Sequence, residues 1–209
     1  MKYKINIHSH TIFSDGMNSP YVMALKAKEL GFTALVITDH FYGLDMPNFM
    51  TLEKYKLLKK AAYEAKSILP IIIGIEIPFM GQEVLIFGGA AVQNILEFGK
   101  PSMEKLLFLK KETGCGVVLC HPSSNFHFAV PAVDAYERVN GGSDFFREMN
   151  GVKRDLDGLE GKQAWCNSDA HTSDRLEICY NIVDSKITTE QDLIKYIKKQ
   201  KQPEFFIND

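Results

Sequence analysis

Five of the chain's six histidines, His8, His10, His40, His121 and His171, follow directly on apolar runs or close them. Acids accompany them. Asp15 lies in a Ser-Asp-Gly turn after the first pair, Asp39 precedes His40, and Asp169 stands two residues before His171. Residues i and i+2 of an extended segment point to the same side, so His8 with His10, and Asp169 with His171, can each reach one ion. Imidazole and carboxylate together suit Zn²⁺, Mn²⁺ or Fe²⁺ and need no thiolate. Glu76 interrupts the apolar stretch "PIIIGIEIP". A buried, unpaired carboxylate costs several kcal/mol, so Glu76 requires a metal, another cation or a proton. A lone histidine at a strand end is accounted for as a satisfied core or surface residue, but Glu76 is not. The set, falling at successive strand ends, is better accounted for by metal.

Such a set must be positioned by a frame. Strands are expected over residues 2–8, 32–40, 70–78, 81–89, 115–122, 156–161, 164–171, 178–185 and 203–207. Helices are expected over 19–31, 51–68, 101–114, 132–142 and 189–200, with Ser19, Thr51 and Ser102 as N-caps, Pro20 in a first turn, and Gly31 and Gly114 as stops. Strand–helix alternation with near-continuous apolar strands predicts a parallel sheet covered by helices, either open or closed into a barrel. In both, chemistry gathers at the carboxyl ends of the strands, where these histidines and acids fall.

Bulk properties narrow the function. A chain of 209 residues can build one sizeable core, read as a single domain over 1–209. A net charge of −2 gives no electrostatic footprint for nucleic acid, so long nucleic acid is disfavoured as a partner. No signal peptide is recognised, and no apolar run nears the ~20 residues of a membrane span. Cys115, Cys120, Cys166 and Cys179 form no CxxC pair and read as reduced thiols, small apolar filler in a cytoplasmic protein.

The motifs "HSHTIFSDGMNSP" (8–20), "ITDH" (37–40), "GIE" (74–76), "HP" (121–122) and "NSDAH" (167–171) resemble, in order and spacing, the PHP family, named for polymerase and histidinol phosphatase. The resemblance implies an α/β fold, a distorted seven-stranded TIM-like β/α barrel, with two or three divalent metal ions of Mn, Zn or Fe, and hydrolysis of phosphate esters. Carried over by motif, His8, His10, Glu76 and Asp169 hold one metal. Asp15, His40 and His171 hold a second, and Glu76 bridges to a third with His121. Asp39 is expected to orient a ligand histidine. Many family members carry another histidine in the strand after the glutamate. Here the matching stretch is "EVLIFG", with Leu85 in that place.

The implied chemistry is attack on phosphorus by a hydroxide shared between two cations, with no side-chain nucleophile. Asp15 takes part at the second metal, and His121 is placed to stabilise the leaving oxygen. Arg175 is either a phosphate clamp or an arginine at the start of a surface helix. His127 is either a surface residue or a group reaching substrate or metal. Lys153 and Arg154 are weaker phosphate candidates. Phe126, Phe128, Tyr136, Phe145 and Phe146 either stack on a base or pack the core. The expected substrate is small and phosphorylated: a sugar, histidinol or nucleotide phosphate. Two other functions fit less well. One is an amidohydrolase-type metal hydrolase, which also begins with HxH. The other is a non-catalytic metal-binding module.

Overall fold

The computed structural model describes residues 1–123, 126–144 and 156–208. Among the described residues, ten strands and five α-helices follow one another: β1 (Tyr3–Ile5), α1 (Pro20–Glu29), β2 (Leu35–Ile37), α2 (Leu52–Ala65), β3 (Ile71–Ile73), β4 (Ile75–Phe79), β5 (Gln82–Phe87), α3 (Gly89–Phe98), α4 (Met103–Thr113), β6 (Gly116–Cys120), β7 (Ala135–Asn140), β8 (Gln163–Asn167), β9 (Cys179–Val183), α5 (Glu190–Lys198) and β10 (Glu204–Ile207). Single 3-10 turns span Phe126–Phe128 and Ser173–Glu177. The caps follow from the sequence. Ser19, Thr51 and Ser102 each accept a backbone N–H from the residue three positions on, and Gly114 closes α4 in the left-handed conformation that its missing Cβ permits.

The expected seven-stranded barrel is not formed. The strands make three sheets, β1-β9-β10, β2-β3 and β4-β5-β6-β7-β8, and among the described residues no ladder closes them into a barrel. The first sheet is antiparallel throughout, and β4-β5 and β5-β6 are antiparallel within the third. Strand length is one reason. With three residues each, β1, β2 and β3 offer little edge, and only isolated bridges, Lys4↔Phe32, Ser9↔Ala170 and His40↔Glu76, span the gaps. The hairpin is the other. Met80 and Gly81, at φ 52° and 77°, form a two-residue turn of the kind that folds β5 straight back on β4.

Local expectations fail where distant residues decide. The helix expected over 132–142 is instead β7, flanked by β6 and β8 and bulged between Glu137 and Val139. Residues 156–161 are turns. Helix α3 was not expected. Its N-terminus has no local side-chain cap, and Glu190 of α5 caps it from a distance, accepting the amides of Gly88 and Gly89 at 3.1 and 3.2 Å.

The buried apolar residues form two clusters. The larger lies between the helices and the sheets, around Met23, Leu58, Ile75, Val92 and Leu119. The smaller draws Ile5, Val36, Ile72, Leu85, Val118 and Trp165 from all three sheets. Beside it lie the buried polar residues His8, His10, Asp39, Glu76, Glu137, Asn140 and Asn167. All four cysteines are buried and free. Among the described residues no helix is long and apolar enough to cross a membrane.

Candidate metal centre

The segment after β1 turns sharply to deliver its candidate ligands. His10 donates its amide to Ala170, and the amides of Ser14 and Gly16 both bond the Thr11 carbonyl. A Cβ on Gly16 would lie 2.5 Å from the His10 carbonyl, so only glycine lets the turn close on itself. Asp39 does not orient a histidine, as expected of it. Its carboxylate accepts Thr11 N–H at 2.6 Å, Thr11 O–H at 2.7 Å and Ser14 O–H at 2.7 Å, and so fixes the turn that carries Asp15. His121 and Asp169 sit in left-handed backbone, at φ 24° and 51°. Non-glycine residues adopt this region only when their surroundings impose it.

The structure brings all eight expected metal residues together in two adjoining groups. In the first, His8 Nε2 lies 3.0 Å from Glu76 Oε2 and 3.3 Å from Asp169 Oδ1, and His10 Nε2 lies 3.3 and 3.0 Å from the same two atoms. The two Nε2 atoms face each other at 3.0 Å. In the second, Asp15 Oδ2 lies 3.6 Å from His40 Nε2 and 3.4 Å from His171 Nε2, and its Oδ1 is 3.9 Å from His10 Nδ1. The rings of His40 and His171 both stack on His10, each with its centre 4.3 Å from the His10 ring centre. Glu76 joins the groups, since its Oε2 is also 3.0 Å from His40 Nδ1 and its Oε1 is 3.2 Å from His121 Nε2.

Lone pairs converge here with few protons to share. His10 Nδ1 and His40 Nδ1 are buried and make no hydrogen bond, although carboxylate oxygens stand close to both. Nitrogen and carboxylate ligand atoms within 4.8 Å of one another, with orphaned ring nitrogens among them, fit a divalent cation.

Electrostatics without a cation show the strain. Burial opposes charge on His8 and His10, but the carboxylates of Glu76 and Asp169 overcome it, raising His8 well above its ordinary value and His10 to about 10. Burial likewise opposes ionisation of Glu76 and Asp169, yet the facing histidines hold both well below the usual carboxylate range. His40 goes the other way: burial lowers it to about 4.

These shifts have opposite consequences on the two sides of neutrality. His10 keeps its proton to about pH 10 when folded but loses it near 6.5 when unfolded. Its contribution is therefore complete below 6.5 and is lost as pH rises to about 10. His40 stays neutral down to about pH 4 when folded, so its contribution holds above 6.5 and is lost as pH falls towards 4. The metal-stripped protein is thus expected to be most stable near pH 6.5, and added Mn²⁺, which must displace the histidine protons, to stabilise it more as pH rises. Thermal unfolding in chelator and in Mn²⁺ across pH 4–10 checks this, and a flat profile in chelator would refute it.

Other expected residues lie further out. Arg175, on the exposed turn Ser173–Glu177, donates to the Gly141 carbonyl at 3.3 Å. The next residue, Gly142, approaches Asp169 so closely that a Cβ there would stand 3.0 Å from Oδ2. His127 is exposed on the turn Phe126–Phe128 and is not among the clustered histidines. Phe126 is buried in the core, Tyr136 packs against it and Phe128 is exposed. Lys153, Arg154, Phe145 and Phe146 lie outside the described residues. Leu85 is fully buried opposite Glu76 and packs in the smaller apolar cluster.

Two acids escaped sequence reasoning. Glu137 on β7 is fully buried, and each of its oxygens meets two donors. Oε1 pairs with His8 Nδ1 at 2.7 Å and Asn167 Nδ2 at 2.9 Å, while Oε2 accepts His121 N–H and Asn140 Nδ2 at 2.8 Å each. The available signal was strand alternation in "AYERVN", which puts Ala135 and Glu137 on one face. Glu83 on β5 is half-buried, and burial and the Glu76 charge raise its carboxyl. With Tyr42, Pro78, Gln82, His121 and Ser123 it lines a groove of about 360 Å³ beside the cluster.

A model of the PHP domain matches residues 6–151. No curated protein matches the sequence. Similar solved structures include a two-domain protein containing a predicted PHP-like metal-dependent phosphoesterase from Bacteroides vulgatus (TM-score 0.65, 14% identity, 100% of this chain and 65% of that one). PsfC from Pseudomonas syringae superposes with a TM-score of 0.62 at 15% identity, over 99% and 92% of the two chains. The lesion-specific endonuclease Q from Pyrococcus furiosus reaches 0.66 at 14% identity, over 95% of this chain and 56% of that one. The chain thus spans less than two thirds of the first and third of these proteins, and the likeness at such identity is one of fold. The family match covers more than half of the sequence and includes His8, His10, Asp15, His40, Glu76 and His121: this chain belongs to the PHP domain family.

Proposed function

We propose that this chain is a metal-dependent phosphoesterase acting on a small phosphate ester of the sugar, histidinol or nucleotide type. The observation that carries the reading is the convergence of His8 Nε2, His10 Nε2, Glu76 Oε2 and Asp169 Oδ1, with every nitrogen–oxygen pair among them at 3.0–3.3 Å. These four would hold one divalent cation, and Asp15, His40 and His171 a second. Glu76 and His121 would contribute to a third. Cations held there supply Lewis-acid charge, which activates water and neutralises phosphate oxygens in the transition state.

The chain's own residues prepare that site. Glu137 takes the His8 Nδ1 proton in hydrogen bond, which leaves Nε2 as the lone-pair nitrogen facing the cluster. Asp39, through Thr11 and Ser14, sets the turn from which Asp15 reaches His40 and His171. His121 lines the groove and would meet the leaving oxygen. The groove, about 360 Å³, suits a small phosphorylated molecule better than a duplex.

The test is an assay of Mn²⁺-loaded protein on a panel of phosphomonoesters, p-nitrophenyl phosphate among them, with a lactone, an amide and an abasic-site DNA duplex as comparison substrates. Turnover of a small phosphate ester that vanishes with chelator is expected. Cleavage of the lesion duplex alone would move the substrate class to nucleic acid, in line with the fold of endonuclease Q. Turnover of only the amide or lactone, or of nothing, would overturn the reading.

A further inference from the structure

The strand position where the motif resemblance implies a further histidine is filled here by Leu85, directly opposite Glu76 and enclosed by apolar neighbours. Leucine offers no ligand atom. Glu76 and His121 give a third cation two nitrogen and oxygen ligands, with the sulfur of the buried Cys120 grouped beside them, fewer imidazole and carboxylate donors than such a site needs. The same strand supplies another candidate. Glu83 lies two residues before Leu85, on the same face of β5 and about 6–7 Å nearer the hairpin.

Its carboxylate is turned to the metal cluster. Oε2 lies 3.5 Å from His121 Nε2, which is itself 3.2 Å from Glu76 Oε1. Oε1 lies 4.0 Å from His40 Nδ1, which is 3.0 Å from Glu76 Oε2 and makes no hydrogen bond. Two carboxylates therefore lie against the same pair of imidazoles. One of those rings points an orphaned, buried nitrogen between them. Like charges so placed repel unless a cation stands between them.

We propose that Glu83 supplies the ligand Leu85 cannot, so that Glu76, Glu83 and His121 hold a third divalent cation at the mouth of the groove. The site is displaced along β5 from the place a histidine at position 85 would serve, and it opens onto Tyr42, Gln82 and Ser123. A cation held there would add positive charge on the groove side of the cluster, where a substrate phosphate would enter. The inference rests on the metal-centre reading above.

Metal content separates the two. Protein loaded with Mn²⁺, desalted and measured by plasma mass spectrometry should hold three ions per chain. Glu83→Gln, which keeps shape and removes charge, should hold two while the remaining two sites keep their affinity in a Mn²⁺ titration. Glu83→Asp should hold a third ion more weakly than wild type. A wild-type count of two overturns this inference and leaves the two-cation centre standing, and it does so even if Glu83→Gln fails to fold. Three ions in a folded Glu83→Gln protein also overturn it. A wild-type count of zero overturns the metal-centre reading itself.

Discussion

Glu76→Gln should leave a folded protein that has lost roughly 10³-fold or more in phosphoesterase activity and most of its bound metal. The substitution changes charge with almost no change of volume, and the site is fully buried, so packing is kept. The loss is large because Glu76 is shared. Its Oε2 touches ring nitrogens of His8, His10 and His40, and its Oε1 touches His121. Each candidate cation except the one at Asp15 would lose a negative ligand. The imidazoles that Glu76 compensates would also lose it, so His8 and His121 would fall from their raised values and the pH profile of stability would flatten on its alkaline side. Circular dichroism, metal content and turnover on one preparation check the three parts. Wild-type activity in a folded Glu76→Gln protein would sink the mechanism.

What the sequence disclosed follows the range over which each decision is made. His8, His10 and Asp15 were legible because nine residues of chain, a strand end and one glycine-dependent turn suffice to place them. His40, Glu76, His121 and Asp169 were legible because each closes or interrupts an apolar run, where burial leaves a polar group little to do except bind. Sheet closure was not legible. The number and direction of strands depended on the two-residue turn at Met80–Gly81 and on whether three-residue strands could pair along their edges. Helix α3 was hidden because its cap comes from Glu190, a hundred residues away. Glu137 was hidden because "AYERVN" reads as helix or strand by itself, and only its two parallel neighbours settle the matter. The candidate ligands, in short, are local signals, whereas the groups that hold them in place are tertiary ones.

Glu137 shows what such a hidden group is worth. Glu137→Gln is expected to weaken metal binding about 10–100-fold and to lower the melting temperature of the metal-stripped protein. The carboxylate serves four donors: the His8 ring and Asn167's amide on one oxygen, the His121 backbone and Asn140's amide on the other. A glutamine has one acceptor oxygen. Whichever way its amide turns, its NH₂ group faces donors, and at least one buried polar group loses its partner at a cost of about 1–3 kcal/mol. If the amide nitrogen faces His8, Nδ1 must become the acceptor, the ring changes tautomer, and Nε2 presents a proton to Glu76 and Asp169 in place of a lone pair. If it faces β6, the amide of His121 is left unsatisfied beside a residue already held at φ 24°. The first case weakens the cation at His8, the second the cation at His121, and both occur without altering a proposed ligand. Calorimetric titration with Mn²⁺ distinguishes this from simple loss of stability. A positioning role predicts weaker binding that persists well below the melting temperature, together with a shift in the pH at which binding sets in. Unchanged affinity at a lowered melting temperature would show that Glu137 only holds β7 in place.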